Sequence, residues 1–318
     1  MTPIKYWDSL QNLAEHTAYV EPRLRRKISS PAGINILWVL VEGEADMYFY
    51  ERMFVGPRAK VVKAGRIDRA GNVKGGIHAV KEIVGHILTL GITQFIIGVI
   101  DRDWRIYKKN AKQPLPQNIF ETDYRDLEMT LMALPRVRRL LKTEIVNTMN
   151  SNHLKFLKGG DSYKQNGDWY EDVWQRCCLV SRYMGIFHII ASRYGWNRVC
   201  FSSNDYWDEH RHCLYSDWSG RLFRLVMRQC SVSQCKLKFY KYRFRFHNYF
   251  HGYSLYDECR GHDFLSVLSS MLIDSRHYSE KWMTYYMAKE VSVGEIQSMR
   301  LYKSIGRWQA IKKLTVLV

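Results

Sequence analysis

The sequence has no run of about 18 apolar residues, the length a helix needs to cross a bilayer. Its first stretch, "MTPIKYWDSLQNLAEH", lacks the apolar centre of a secretory signal. Paired cysteines are missing too. The seven cysteines are odd in number, Cys177 and Cys178 are adjacent, and Cys230 and Cys235 stand five apart. No C-x-x-C pair occurs, so neither a zinc–thiolate site nor a disulfide framework is expected. Reduced thiols and the missing signal together give a cytoplasmic, non-membrane protein as the expectation. H-E-x-x-H and G-x-x-x-x-G-K-[ST] are both absent, which leaves no support for a zinc protease or a P-loop ATPase. There is no internal repeat and no low-complexity tract. Acid is the scarce charge: 31 Asp and Glu face 48 Lys and Arg, for a net charge of +17. That excess favours a polyanionic partner, because each phosphate contact releases counterions.

Where acids are scarce, acids in clusters carry information. The chain has two clusters, each at the end of an apolar run. "ILWVLV" ends in Glu42-Gly43-Glu44, with Asp46 close behind, and "FIIGVI" ends in Asp101-Arg102-Asp103. Both runs read as buried strands by length and by Val, Ile and Leu content. If the strands are neighbours, Glu42, Asp101 and Asp103 converge at one edge of a sheet. Like charges so close need a cation, and hard oxygen donors suit Mg²⁺ or Mn²⁺. Asp46 could add a ligand if a helix starts directly after the first strand. A plainer role also exists, since Glu44 and Asp46 in a helix's first turn meet the positive end of its dipole.

The order of elements supports an α/β fold. Helices are expected over Glu44 to Phe54, over "GGIHAVKEIVGHILTLG" and over "YRDLEMTLMAL"; further strands are expected at "AKVVKAG" and "NIFETD". On the second helix Ile77, Val80, Val84, Ile87 and Leu88 form one stripe, and Gly91 suits the position after its end. Asp123 and Asp126 have the spacing of a capping box. Strands alternating with helices imply a mostly parallel sheet with helices on both faces, whose sites form beyond the carboxyl ends of the strands. Residues 1–30 read as a helical lead-in, 31–149 as the metal-binding α/β domain and 150–318 as a mostly helical, basic and aromatic region. Asp263 is placed to cap the helix "FLSVLSSML", and His262 beside it reads as a structural histidine.

"VLVEGEAD" and "GVIDRDW" resemble the two signatures of the Toprim domain, an acid after the first strand and D-x-D after a later one. Topoisomerases, primases and OLD-type nucleases share that domain, and the likeness covers about residues 34 to 135. More narrowly, "VEGEAD…IDRDW…ETDYRDLEMTL…GHDFLSVL" is similar to the AriB-type family of Toprim effectors of the PARIS anti-phage system. The resemblance implies a Toprim-like fold and a Mg²⁺- or Mn²⁺-dependent phosphodiesterase. It makes Glu42 the essential acid, as ligand or general base, and Asp101 and Asp103 metal ligands. Asp46 falls at the second acid of the first motif, and Asp126 and Glu128 at the weaker "DLE" position. It also implies a toxin that cleaves host RNA, tRNA included, once released by an ABC-type, AriA-like ATPase partner. Such effectors are often paired, so the resemblance extends to a homodimer. An OLD-like DNA endonuclease and a non-catalytic nucleic-acid-binding module are the competing readings.

Two basic stretches are candidate nucleic-acid contacts. Lys108, Lys109 and Lys112 lie on the loop after the D-x-D, where loops carry function, with Arg102 and Arg105 beside them. "CKLKFYKYRFRFHNYF" interleaves Lys241, Arg243 and Arg245 with aromatics at strand period. Cations tracking phosphates beside aromatics stacking on unpaired bases would suit single-stranded or looped RNA. A strand with an aromatic core side and a solvated basic side would read the same.

Overall fold

The computed structural model describes residues 36–54, 56, 58–67, 73–89, 94–102, 115–148, 169–196, 199–208, 213–238, 259–271, 279–312, 314, 316 and 317. Its strands are β1 (Leu37–Val41), β2 (Ala59–Lys63), β3 (Arg66–Ile67), β4 (Val73–Lys74), β5 (Ile96–Ile100), β6 (Ile119–Glu121), β7 (Trp207–Asp208) and β8 (Cys213–Leu214). Its helices are α1 (Glu44–Tyr50), α2 (Ile77–Thr89), α3 (Leu127–Met132), α4 (Pro135–Thr148) and α5 (Trp169–Tyr194). They continue with α6 (Trp218–Cys230), α7 (Gly261–Met271), α8 (Glu280–Glu290), α9 (Val293–Ser298) and α10 (Arg300–Ile311). The described residues fall into two compact units. One holds 36–102, 115–123 and 291–317; the other holds 124–290. Among the described residues the chain passes from one unit to the other at 123/124 and back at 290/291. The last two helices belong with the strands.

The first unit is built on a four-stranded sheet in the order β2-β1-β5-β6, with every pairing parallel. All five residues of β1 and all five of β5 are buried, as a parallel sheet covered on both faces requires. Trp38, Leu40, Ile96 and Ile100 share one face and pack with Ala79, Val80, Val84 and Ile87 of α2. That helix lies so close to β5 that a Cβ at Gly98 would stand 2.6 Å from the Val80 side chain. The expected stripe is thus the packing face, with Ile77 and Leu88 half-buried at its edge. Gly91 lies outside the described residues. The helix after β1 is shorter than expected. It stops at Tyr50, and Phe54 instead forms an antiparallel bridge with Leu317.

The C-terminal helix α10 is tied to the far side of the sheet. Asn118, fully buried, donates to the Ile96 carbonyl at 2.7 Å and accepts from the Trp308 indole at 3.3 Å. Trp308 also meets Phe120 edge-on, with ring centroids 6.4 Å apart. Asp123 does not form a capping box with Asp126. Its two carboxylate oxygens accept from the N–H groups of Arg300 and Leu301, both at 2.7 Å, and so cap α10 from a distance.

The second unit is helical. Its long helix α5 packs on α7, with Trp174 and Phe264 ring centroids 4.8 Å apart and the Cys177 thiol 3.8 Å from the Met271 sulfur. Burial raises the Cys177 thiol far above its ordinary range. Cys177, Cys178, Cys200, Cys230, Cys235 and Cys259 are free thiols. Asp263 is not a cap, because α7 begins two residues earlier; it faces His188 at 3.2 Å. The short hairpin of β7 and β8 was not signalled by any alternating apolar run. At the start of the basic–aromatic stretch, 234–238 is helical and not extended. Among the described residues no helix is long and apolar enough to cross a membrane.

Candidate metal centre at the sheet edge

Sheet order explains why two acids from distant parts of the chain meet. From β1 the chain moves to β2 on one side; β5 then adds on the other side of β1. The direction of travel reverses between β1 and β5. In open parallel sheets a crevice forms at such a reversal, outside the carboxyl ends of the strands. Glu42 directly follows β1 and Asp101 directly follows β5, so both stand at the carboxyl edge where the strand order reverses. They are joined: the Asp101 N–H donates to Glu42 Oε1 at 2.8 Å. Both residues are half-buried.

The chain around Glu42 is shaped by two glycines. Asp46 is the third residue of α1, and its Oδ2 accepts from the Gly43 N–H at 2.8 Å, closing the first turn of the helix. One Asp46 oxygen therefore serves the helix start. Glu44 also sits in that turn and pairs with Lys63 at 3.7 Å, with both side chains well exposed. On the other side, Gly76 has φ of +80°, and a Cβ there would lie 3.6 Å from Glu42 Oε2. This left-handed turn delivers α2 to the same edge, where a helix start presents N–H groups and a positive dipole end.

Tyr50 completes the setting. It is 1% exposed, and its hydroxyl has no hydrogen-bond partner among the described residues. Burial, then the charges of Asp46, Asp101, Asp123 and Glu42, push its pKa well above the usual tyrosine value.

Glu42 and Asp101 are hard oxygen donors, side by side, and so fit a divalent cation such as Mg²⁺ or Mn²⁺ in donor chemistry. Among the described residues no three His, Cys, Asp or Glu side chains form a complete metal site. Asp103 lies outside the described residues, as do Arg105, Lys108, Lys109, Lys112, Lys241, Arg243 and Arg245. Arg102 is described, and its guanidinium reaches the Asp123 carbonyl at 3.4 Å.

Asp126 and Glu128 belong to the helical unit. Asp126 caps α3 by accepting from the Met129 N–H at 2.9 Å, and its other oxygen accepts from the Gly261 N–H at 2.8 Å. Burial raises its pKa against the opposing pull of Arg125 and of those two bonds. Glu128, also buried, meets the Thr284 hydroxyl at 3.4 Å and His262 at 3.9 Å. The half-exposed His262 ring also faces Glu280 at 3.4 Å. Its pKa is raised to about 9, first by the bond to Glu280 and then by the charges of Glu128 and Asp126, against its burial. The "GHD" stretch therefore joins three helices. The sequence carried no sign of this use, because the partners lie far apart along the chain.

The helical unit also carries a basic hollow of about 530 Å³ lined by Arg224, Met227, Arg228, Ser231 and Val232. Two of the arginines on α6 are engaged nearby. Arg224 pairs with Asp217 at 2.6 Å, and Arg221 lies 3.6 Å over the Tyr215 ring. Comparison with protein-family models, with curated proteins and with solved structures finds no match for this chain.

Proposed function

We propose that this chain is a metal-dependent nuclease of the Toprim type, acting on RNA, with tRNA the substrate class that its sequence resemblance implies. The observation that supports this most is the placement of Glu42 and Asp101 at the ends of adjacent parallel strands, at the point where strand order reverses. Crevices of this kind are where open α/β sheets bind their ligands. Glu42 and Asp101 are the residues that would hold the ion, with Asp103 beside them in sequence. A bound Mg²⁺ or Mn²⁺ supplies charge neutralisation at the phosphate and a more acidic water.

The chain's own residues do the rest. Glu42 has one oxygen oriented by the Asp101 N–H, which fixes its carboxylate at the crevice as ligand or as proton acceptor. Asp46 holds the first turn of α1 and so keeps that helix in place behind Glu42. The Gly76 turn admits a phosphate to the start of α2. The excess of Lys and Arg brings the polyanion in. In this proposal the chain is the effector of an anti-phage system. ATP hydrolysis belongs to a partner, since the chain has no P-loop sequence.

Purified protein incubated with Mg²⁺ or Mn²⁺ and total tRNA should cleave it, and EDTA should stop the reaction. Glu42→Ala should lower the rate by at least ~10²-fold, the usual cost of losing a base. Cleavage by Glu42→Ala at the wild-type rate would sink the proposal. Cleavage of plasmid DNA with tRNA left intact would replace it with an OLD-like endonuclease.

A further inference from the structure

Tyr50 ends α1, one helical turn beyond Asp46. Packing explains its ring, which meets Phe49 edge-on with centroids 5.1 Å apart. Phenylalanine would pack the same way. The hydroxyl is the atom that packing does not explain. It is buried and has no hydrogen-bond partner among the described residues. Buried polar groups are normally bonded, because desolvating one without compensation is unfavourable.

Four carboxylates raise the Tyr50 pKa after burial does. Asp46 comes from α1, Glu42 from the end of β1, Asp101 from the end of β5 and Asp123 from just beyond β6. All four act electrostatically on the Tyr50 hydroxyl. Asp123 is already held by the N–H groups of Arg300 and Leu301. Asp46 stands four residues before Tyr50 on the same helix, and the bonded pair Glu42 and Asp101 stands at the start of that helix. These are the carboxylates Tyr50 would serve, beside the bonds that Asp46 and Glu42 already accept. A phenol held neutral is suited to that task. It donates one hydrogen bond and adds no positive charge that would compete with a cation.

We propose that Tyr50 is a positioning residue for the Glu42–Asp101 centre, its O–H donating to this carboxylate cluster when a divalent cation is bound. The proposal rests on the metal-centre reading given above. Groups that hydrogen-bond to metal-binding carboxylates set which oxygen faces the ion, and losing one typically weakens binding by 10- to 100-fold. Tyr50 does not touch the reacting atoms in this scheme; it acts through the acids.

The test is Mn²⁺ binding to the full chain, followed by the loss of the free-ion paramagnetic resonance signal, in wild type, Tyr50→Phe and Glu42→Ala. Thermal unfolding in EDTA is measured on the same three proteins. Tyr50→Phe should weaken Mn²⁺ binding by about tenfold or more. In EDTA it should melt at or above the wild-type temperature, because no bond is lost there. Wild-type Mn²⁺ affinity in Tyr50→Phe, alongside loss of binding in Glu42→Ala, would overturn this inference and leave the metal centre standing. A lower melting temperature in EDTA would also overturn it, since the hydroxyl would then serve the fold. Absence of Mn²⁺ binding by the wild type would remove both the centre and the role of Tyr50.

Discussion

Asp123 and Asp126 are three residues apart and hold different parts of the chain. Asp123 accepts from Arg300 and Leu301, 177 and 178 residues downstream. Asp126 accepts from Met129 in its own helix and from Gly261 on another. Their spacing predicts a local capping box with Asp123 as the cap and Asp126 at the third helical position, but the helix starts later and Asp126 itself is the cap. The partner of Asp123 is set by tertiary structure, which a local pattern cannot contain. The same limit applies to His262. Its raised pKa, about 9, comes from Glu280, Glu128 and Asp126, contributed by two other helices and a cap. Because the folded value lies above the ordinary one, protonated His262 stabilises the fold. That contribution is full below about pH 6.5, the unfolded value, and is lost as pH rises through about 9. Urea unfolding of wild type and His262→Gln should therefore differ at pH 6 and converge by pH 10. A difference that stays constant across that range would show that His262 contributes packing and not charge. The ring is half exposed, so the effect should be small.

At the scale of elements, β1 and β5 were legible because their signals are local: five apolar residues, then an acid. Helix α2 was legible from its stripe. What could not be read was that β5 lies beside β1, since sheet order depends on where each crossover lands. The convergence of Glu42 and Asp101 was conditional until that order was known. The boundaries of the units were likewise hidden, because α10 joins the strands through Trp308 and Asn118, 190 residues apart. Gly261 gives the sharpest element-level prediction. A Cβ there would stand 2.3 Å from the Glu128 Cβ and 2.6 Å from Asp126 Oδ1. Gly261→Ala must push α7 away from α3 and stretch the bond between the Gly261 N–H and Asp126. Overpacking of this kind costs about 1–3 kcal/mol. The urea midpoint should fall with the slope of the transition unchanged. An unchanged midpoint would mean that the helices slide apart at no cost.

At the scale of the whole molecule the two signs of charge are unevenly supplied, and the excess is basic, +17. Several described acids are already matched: Glu44 with Lys63, Glu290 with Arg136, Asp217 with Arg224. Pairing of this kind lowers neither the net charge nor its long-range attraction for a polyanion. The acids at the β1–β5 edge would repel a phosphate backbone on their own, so under the proposed function RNA binding would draw on cations elsewhere. RNA binding should then be separable from cleavage. Glu42→Ala should bind single-stranded RNA with undiminished affinity, and log K should fall linearly with log salt. For single strands the slope is about 0.7 for each phosphate contact. Lys241 and Arg243 are the cations to reverse, because they alternate with Tyr242 and Phe244 in sequence. The double variant Lys241→Glu, Arg243→Glu in the Glu42→Ala background should bind more weakly and give a shallower salt slope. Its far-UV circular dichroism should match that of the parent. An unchanged slope would mean that the basic side of this stretch only faces solvent. A slope near zero in the parent itself would mean that the excess charge serves solubility and that no phosphate backbone is bound.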